Sequence, residues 1–345
     1  MYNLTVVDLS SYNTLRISAK ASNLIEINTA DDINKLPPEN VFFLGSGANI
    51  LFTKDFPGTI AKIKLSGIKV LKETNTDVLI EVAAGENWHD FVTWAVDHNL
   101  SGIENMALIP GTVGAAAIGN IAAYGGNQED IFASLQATNI KTQKNQEFSK
   151  TDMQFGYRNS FLRQHPDYLV TSVTYRLSKT AHLNTSYHAT RHASLLSTLN
   201  QINTPPFTIR HVFDAVVKIR SEKLPDPKLV GTAGSFFKNP VVSKEKFHQL
   251  KQQIPDLLAY PTEKLSYIDP EEQSEYVKVS IGRALDELGW RGKRIGNVGT
   301  FPQHALVIVT YPGATGQEVY QFAEMMRANV KKNFDINLEY EVVII

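Results

Sequence analysis

Apolar residues along the chain recur at two spacings, and these outline the elements. Val41–Leu44 is a short apolar run that reads as a strand. It stops abruptly at Gly45-Ser46-Gly47-Ala48-Asn49, before a second run, Ile50-Leu51-Phe52. Ile60–Leu65 and Val78–Ala84 alternate or run apolar with β-formers and also read as strands. Between Asn87 and Asn99, Phe91, Val92, Ala95 and Val96 recur at helical spacing. Two further strand-like runs, Ile131–Ile140 and Tyr168–Leu177, flank FGYRNSFLR at 155–163. Asn203-Thr204-Pro205-Pro206 marks a break within Gln201–Thr208. A helix over Thr208–Lys223 follows, burying Val212, Phe213, Val216, Val217 and Ile219, and Pro225 and Pro227 forbid its continuation. Residues 233–240 form a short extended piece, Pro261–Ser274 a polar loop and Ile281–Gly289 a helix. His304–Thr310 reads as a strand, Gln317–Asn333 as an amphipathic helix and Ile336–Ile345 as a last strand. This order predicts an α+β fold rather than clean βαβ repetition, and no internal repeat is evident.

One stretch stands apart. Ala107–Gly125, ALIPGTVGAAAIGNIAAYG, contains no Asp, Glu, Lys, Arg or His and is rich in Gly and Ala. So few side chains let a backbone press against a flat polar partner. Pro110-Gly111 marks a turn, the run after Thr112 can begin a short helix, and exposed amides there would suit a phosphate. A tightly packed helix–turn without a ligand is the plainer alternative. Gly45–Asn49 follows a strand and has the small residues that place N–H groups beside a phosphate, although hairpin turns use the same residues. It is not a Walker loop, since Gly-Lys-Ser/Thr is missing.

At 345 residues the chain exceeds one compact core, so two or three domains are expected. With 43% hydrophobic and 20% charged residues it belongs among ordinary globular chains. A net charge of −1 argues against nucleic acid or an anionic membrane as the main partner. No apolar run has the length of a membrane span, and MYNLTVVDLS lacks the features of a leader, so a cytoplasmic location is expected. The absence of Cys excludes disulfides, thiolate metal sites and a cysteine nucleophile. The nine His show no paired spacing with carboxylates, and no metal is expected.

Eight segments in series, GSGANILF, GENWHDFV, GIENMALIPGTVGAAAIGNIAAYG, FGYRNSFL, KLPDPK, AGSFFKNP, HALVIV and LEYEV, resemble the UDP-N-acetylenolpyruvoylglucosamine reductase family. The resemblance runs from about Asn13 to Val342, and the stretch around Tyr187 is similar to the longer of its two subtypes. It implies a flavin-binding domain of the vanillyl-alcohol-oxidase type plus a C-terminal α+β substrate domain. The expected division is 1–65, joined by 334–345, and 66–205 for FAD, with 206–333 for substrate. By the same resemblance, Gly45, Ser46, Gly47, Ala48 and Asn49 contact the pyrophosphate of a non-covalent FAD. Ile109, Pro110, Gly111, Thr112, Ala115, Ala116, Ile118 and Ile121 line the rest of it, and Arg220 matches another flavin-contacting position.

The implied reaction is NADPH-dependent reduction of an enolpyruvyl ether on a UDP-sugar, in peptidoglycan synthesis, with a monomer among the options for assembly. Hydride from reduced flavin meets one alkene carbon, and a proton meets its neighbour. Charge then builds on the substrate carboxylate, where a cation contributes most. The resemblance assigns proton donation to Ser235, carboxylate binding to Arg158 and the third catalytic position to Glu341. In a regular strand Glu339 and Glu341 share a face, so spacing alone does not choose between them; Glu341 is taken because it precedes Val342. Tyr187, Lys223, Asn239 and His304 match substrate-contacting positions. Three residues depart from the family pattern: Ala122 for a glycine, Asn159 for an aspartate and Val343 for an arginine. Two other classes fit less well. An oxidase that tethers its flavin needs a histidine near the first loop, and the first here is His89. A non-catalytic nucleotide-binding module needs none of Ser235, Arg158 or Glu341.

Overall fold

The structure, a computed structural model, describes residues 6–187, 194–262 and 275–345. The chain divides into two compact units, one of residues 22–46 and 57–222, the other of residues 6–21, 47–56 and 223–345. Strands Lys20–Ile27 and Phe56–Ile63 carry the chain from one unit to the other.

In the first unit Val41–Leu44 runs parallel to Phe56–Ile63. A five-stranded antiparallel sheet follows, ordered Lys144–Ser149, Phe132–Asn139, Tyr168–Ser178, Asp77–Ala83 and Ile68–Glu73. Val78, Ile80 and Val82 alternate inward along their strand, as a sheet with one buried face requires. Helix α1 (Trp88–Asp97) starts at Asn87, whose side chain accepts from the N–H groups of His89 and Asp90 at 2.8 and 3.2 Å. Its Phe91, Val92, Ala95 and Val96 are buried, the stripe its spacing predicts. Helix α2 (Val113–Gly119) begins in the small-residue segment and ends at Asn120 in the left-handed conformation, φ +42°. Helices α3 (Leu195–Ile202) and α4 (Ile209–Lys223) complete the unit.

Helix α4 differs from expectation in its company. The sequence reading groups it with 206–333, yet Val212, Phe213, Ala215, Val216 and Ile219 join the core that holds Ile80, Trp88 and Tyr175. An amphipathic pattern says that a face is buried but not against what. The boundary between the units accordingly lies at Glu222–Lys223 rather than in 201–208.

The second unit is built on an antiparallel sheet ordered Gly231–Ser235, His304–Thr310, Val298–Phe301 and Arg294–Ile295. Helices α5 (Lys244–Gln253), α6 (Ile281–Glu287) and α7 (Gly316–Phe334) bury Leu250, Leu285, Phe322 and Met326 in one core with Phe236, Phe237 and Ile308. A capping box between Thr315 and Glu318 starts α7. The final strand is shorter than predicted, because its hydrogen-bond partner changes along the way. Residues 339–341 form a one-bridge antiparallel ladder with 236–238, and Val343–Ile344 then pairs parallel to Ile50–Leu51. Of the loop predicted over 261–274, residues 263–274 lie outside the described ones. Among the described residues no helix is long and apolar enough to cross a membrane.

The packing of α4 yields a test. Val216→Ala removes fully buried methyl groups from the first unit, and we expect it to lower stability by roughly 2 kcal/mol. A urea unfolding curve measures this; a loss below about 0.5 kcal/mol would contradict the placement of α4 in that core.

Candidate functional site

In the first unit the two small-residue segments meet. A Cβ added to Gly45 would lie 2.7 Å from Thr112 Oγ1 and 3.6 Å from Ala115 Cβ, so only glycine lets the turn come this close. Lys62 Nζ donates to the Gly45 carbonyl, and burial lowers the pKa of its ammonium. Ser46 Oγ is buried with no partner among the described residues. A buried hydroxyl without a partner is costly and implies an absent acceptor or donor.

Helix α2 corrects one expectation. The N–H groups of Val113 and Gly114 donate to Glu86 O and Ala84 O, both at 2.9 Å, so these first-turn amides hold the helix to its own unit. A Cβ on Gly114 would come within 2.8 Å of Ala84 Cβ, so its role there is packing. Pro110 and Gly111 form the turn, with Gly111 at φ +138° and its carbonyl accepting from Trp88 N–H at 3.1 Å. Ala116 is buried in the core, Ile109, Ile118 and Ile121 pack against it, and Ala115 is exposed beside Gly45. Leu108 adopts φ +55°, unusual for a branched side chain, and its N–H donates to His89 Nδ1 at 3.1 Å.

A guanidinium–aromatic cluster lies in the same unit. Arg220, on the buried face of α4, points its guanidinium at the Tyr124 ring, 6.0 Å away, and its Nε is buried without a partner among the described residues. Tyr187 packs edge-on against Tyr124 at 5.2 Å. Burial pushes the Tyr124 hydroxyl pKa up and the Arg220 pKa down, with the arginine opposing the first shift. Arg158 adopts φ +53° and donates from Nη2 to Ala122 O at 3.3 Å. Asn159 pairs with Gly156 through reciprocal backbone bonds of 3.1 Å, which shape the turn that presents Arg158.

The second unit holds the rest. Gly47 adopts φ +72°, and a Cβ there would fall 2.0 Å from Tyr12 O. Gly47 and Ala48 are buried, and no hydrogen bond from their backbone N–H groups is found among the described residues. Asn49 donates from Nδ2 to Glu341 O at 3.1 Å, and its carbonyl accepts from Val343 N–H at 3.0 Å.

Ser235 ends its strand just after a register shift between Thr232 and Ser235, with Gly234 at φ +69°. Such a bulge re-aims the side chain that follows it. The Ser235 hydroxyl is half-buried, and no hydrogen bond to it is found among the described residues. Glu341 N–H donates to Phe236 O at 3.0 Å, which places the glutamate opposite the residue after Ser235. Glu339 lies farther along, opposite Lys238, and pairs with its Nζ at 3.0 Å. The ladder thus separates two carboxylates that alternation alone leaves equivalent. Asn239 Oδ1 accepts from Ile281 N–H at 3.1 Å. His304 Nδ1 accepts from Leu306 N–H at 3.3 Å. Burial lowers the His304 pKa, with Asp286 opposing and Lys223 and Arg291 reinforcing the shift.

Each unit therefore gathers its own share. Gly45, Thr112 and Ala115 meet in the first, where Tyr187 and Arg220 both approach Tyr124; in the second, Glu341 lies opposite the residue after Ser235, and the charge of Lys223 acts on His304. Tyr124 and His89 were not singled out as site residues; their signals are the Ala-Tyr-Gly turn at 123–125 and Trp88-His89 in GENWH. Among the described residues no three His, Asp or Glu are placed to hold a metal ion. In the first unit Ser46 Oγ and Arg220 Nε, which have no partner among the described residues, and the close turn at Gly45 each suit a group rich in acceptor oxygens, such as a dinucleotide pyrophosphate.

Comparison with known proteins agrees. Residues 226–345 match the model for the C-terminal domain of UDP-N-acetylenolpyruvoylglucosamine reductase, and residues 37–142 match a FAD-binding-domain model. The chain is 39% identical to UDP-N-acetylenolpyruvoylglucosamine reductase of Flavobacterium johnsoniae, covering 98% of each chain. Its identity to the Burkholderia cenocepacia protein of that name is 38%, over 97% of this chain and 95% of the other. The crystal structure of the Thermus caldophilus reductase superposes with a TM-score of 0.68 at 21% identity, over 99% of this chain and 98% of that one, which shows a shared fold.

Two histidines, one in each unit, give the stability of the chain a pH signature. His89 has its pKa lowered chiefly by burial, with Asp90 opposing and Arg220 assisting, and His304 behaves alike. Below about 6.5 the unfolded chain takes up protons that these folded imidazoles refuse. Stability should fall as pH drops through that window, and the loss ends once the lowered folded-state values are passed. Melting midpoints between pH 7 and 5.5 should decline less steeply in His89→Gln and in His304→Gln than in the native chain; parallel slopes would contradict this.

Proposed function

Because the chain belongs to the UDP-N-acetylenolpyruvoylglucosamine reductase family, we propose that it reduces UDP-N-acetylenolpyruvoylglucosamine to UDP-N-acetylmuramate, using FAD and NADPH, in peptidoglycan synthesis. It is an FAD-dependent oxidoreductase, and its setting on this reading is the cytoplasm. FAD, when bound, relays hydride from NADPH to the alkene. Gly45, Ser46, Gly47, Ala48 and Asn49 would hold its pyrophosphate, Ile109 to Ile121 would border the rest, and Arg220 would add a cation. Since Arg220 belongs to the flavin side, the substrate-binding part on this reading begins at Lys223, later than residue 206.

The chain's own residues then divide the chemistry. The Arg158 guanidinium stays charged and offers a planar fork to the substrate carboxylate as charge develops there. Ser235 gives its hydroxyl proton to the alkene carbon next to the one that receives hydride, and recovers a proton from water. Glu341 completes the set beside Ser235. Tyr187, Lys223, Asn239 and His304 would hold the UDP-sugar, the lysine matching its diphosphate. The observation that carries this reading is Ser235, which follows a bulge, with a hydroxyl that bonds to no turn among the described residues and with Glu341 laddered to the next residue.

Rapid mixing separates the half-reactions. Ser235→Ala should leave reduction of FAD by NADPH within about twofold and slow reoxidation by the sugar nucleotide by roughly 10²–10⁴-fold. Equal loss of both half-reactions would overturn the assignment of Ser235.

A further inference from the structure

We propose that Tyr340 is a positioning residue for Glu341, acting through a bracket on helix α7. The inference rests on the reading of Glu341 given above. Lys238 N–H donates to Glu339 O at 2.9 Å and Glu341 N–H to Phe236 O at 3.0 Å, so Phe237 and Tyr340 form the non-hydrogen-bonded pair between them. In such a pair the two side chains approach closely on one face. Their rings stack at 5.4 Å with an interplanar angle of 29°. Residues 339 and 341 consequently project to the other face.

Stacking alone leaves the short ladder free to slip or twist, because only one residue pair is bridged. The bracket removes that freedom. Tyr340 Oη donates to Glu324 Oε1, which also accepts from Arg327 Nη1 at 2.6 Å. Arg327 Nε donates to Leu338 O at 2.9 Å, and its guanidinium lies 4.9 Å from the Tyr340 ring centroid. Helix α7 thus grips the chain at 338 and at 340, on either side of Glu339. Asn49 takes hold of the Glu341 carbonyl. Burial pushes the Tyr340 hydroxyl pKa up, and the hydrogen bond from Tyr340 lowers that of Glu324. The hydroxyl therefore remains a donor and the carboxylate an acceptor at neutral pH. Phenylalanine would fill the same space, so the hydroxyl is what sets position rather than packing.

Tyr340→Phe isolates that hydroxyl. We expect FAD reduction by NADPH to stay within twofold, KM for the sugar nucleotide to stay within about threefold, and reoxidation to fall by about tenfold, as a small misplacement of a reacting group predicts. Glu324→Leu should behave alike, whereas Glu324→Gln, which keeps an acceptor, should retain more than about half of the rate. Glu341→Gln and melting curves are measured alongside. If Glu341→Gln leaves reoxidation unchanged, the reading of Glu341 fails and Tyr340 loses its role with it. If Glu341→Gln slows reoxidation strongly while Tyr340→Phe matches the native rate, or only lowers the melting midpoint, the positioning role alone is overturned.

Discussion

The meeting of the two small-residue segments in the first unit depends on the missing side chain at Gly45. Strand Val41–Leu44 delivers its turn against the N-terminus of α2 so closely that a Cβ would meet Thr112 Oγ1 at 2.7 Å. That contact joins two small-residue segments more than sixty positions apart, and beside the turn Ser46 Oγ is buried without a partner among the described residues. Such an arrangement costs stability unless something supplies the absent hydrogen bond. Arg220 repeats the pattern, with a buried Nε that has no partner among the described residues. Groups left this way in a folded protein call for an explanation, and an acceptor-rich ligand supplies one here.

In the second unit the corresponding constraint is the brief antiparallel contact between 236–238 and 339–341. It sets the backbone of Glu341 opposite Phe236, the residue after Ser235, and it does so outside any long strand. A bulge on one side and a change of hydrogen-bond partner on the other mean that neither segment is regular where the chemistry is proposed. Irregular backbone of this kind persists when surrounding contacts over-determine it. Phe236, Phe237 and the residues of α7 supply those contacts.

Much of this was legible in the sequence. Helices α1 and α4 and the strand His304–Thr310 follow from apolar spacing, and the two Gly/Ala-rich segments announce themselves by what they lack. What local pattern could not reveal is long-range pairing. Nothing near Asn49 predicts that its amide grips Glu341 O, 292 positions away. The spacing of α4 marked a buried face but not the core it enters. The first-turn amides of α2 looked available for a phosphate, yet two of them bind Glu86 and Ala84 carbonyls. The choice between Glu339 and Glu341 needed the register of a ladder that alternation within one strand does not contain.

The claim on which the account turns is that close backbone approach at Gly45 makes room for FAD. Flavin content, read from the visible absorbance of Gly45→Val beside the native chain, tests it most directly. Gly45 does not adopt a positive φ, so valine there changes the space rather than the backbone's freedom. The account predicts a native chain that holds FAD and a variant that folds, with a native-like circular dichroism spectrum, yet retains little of it. A folded variant that binds FAD as fully as the native chain would contradict the account.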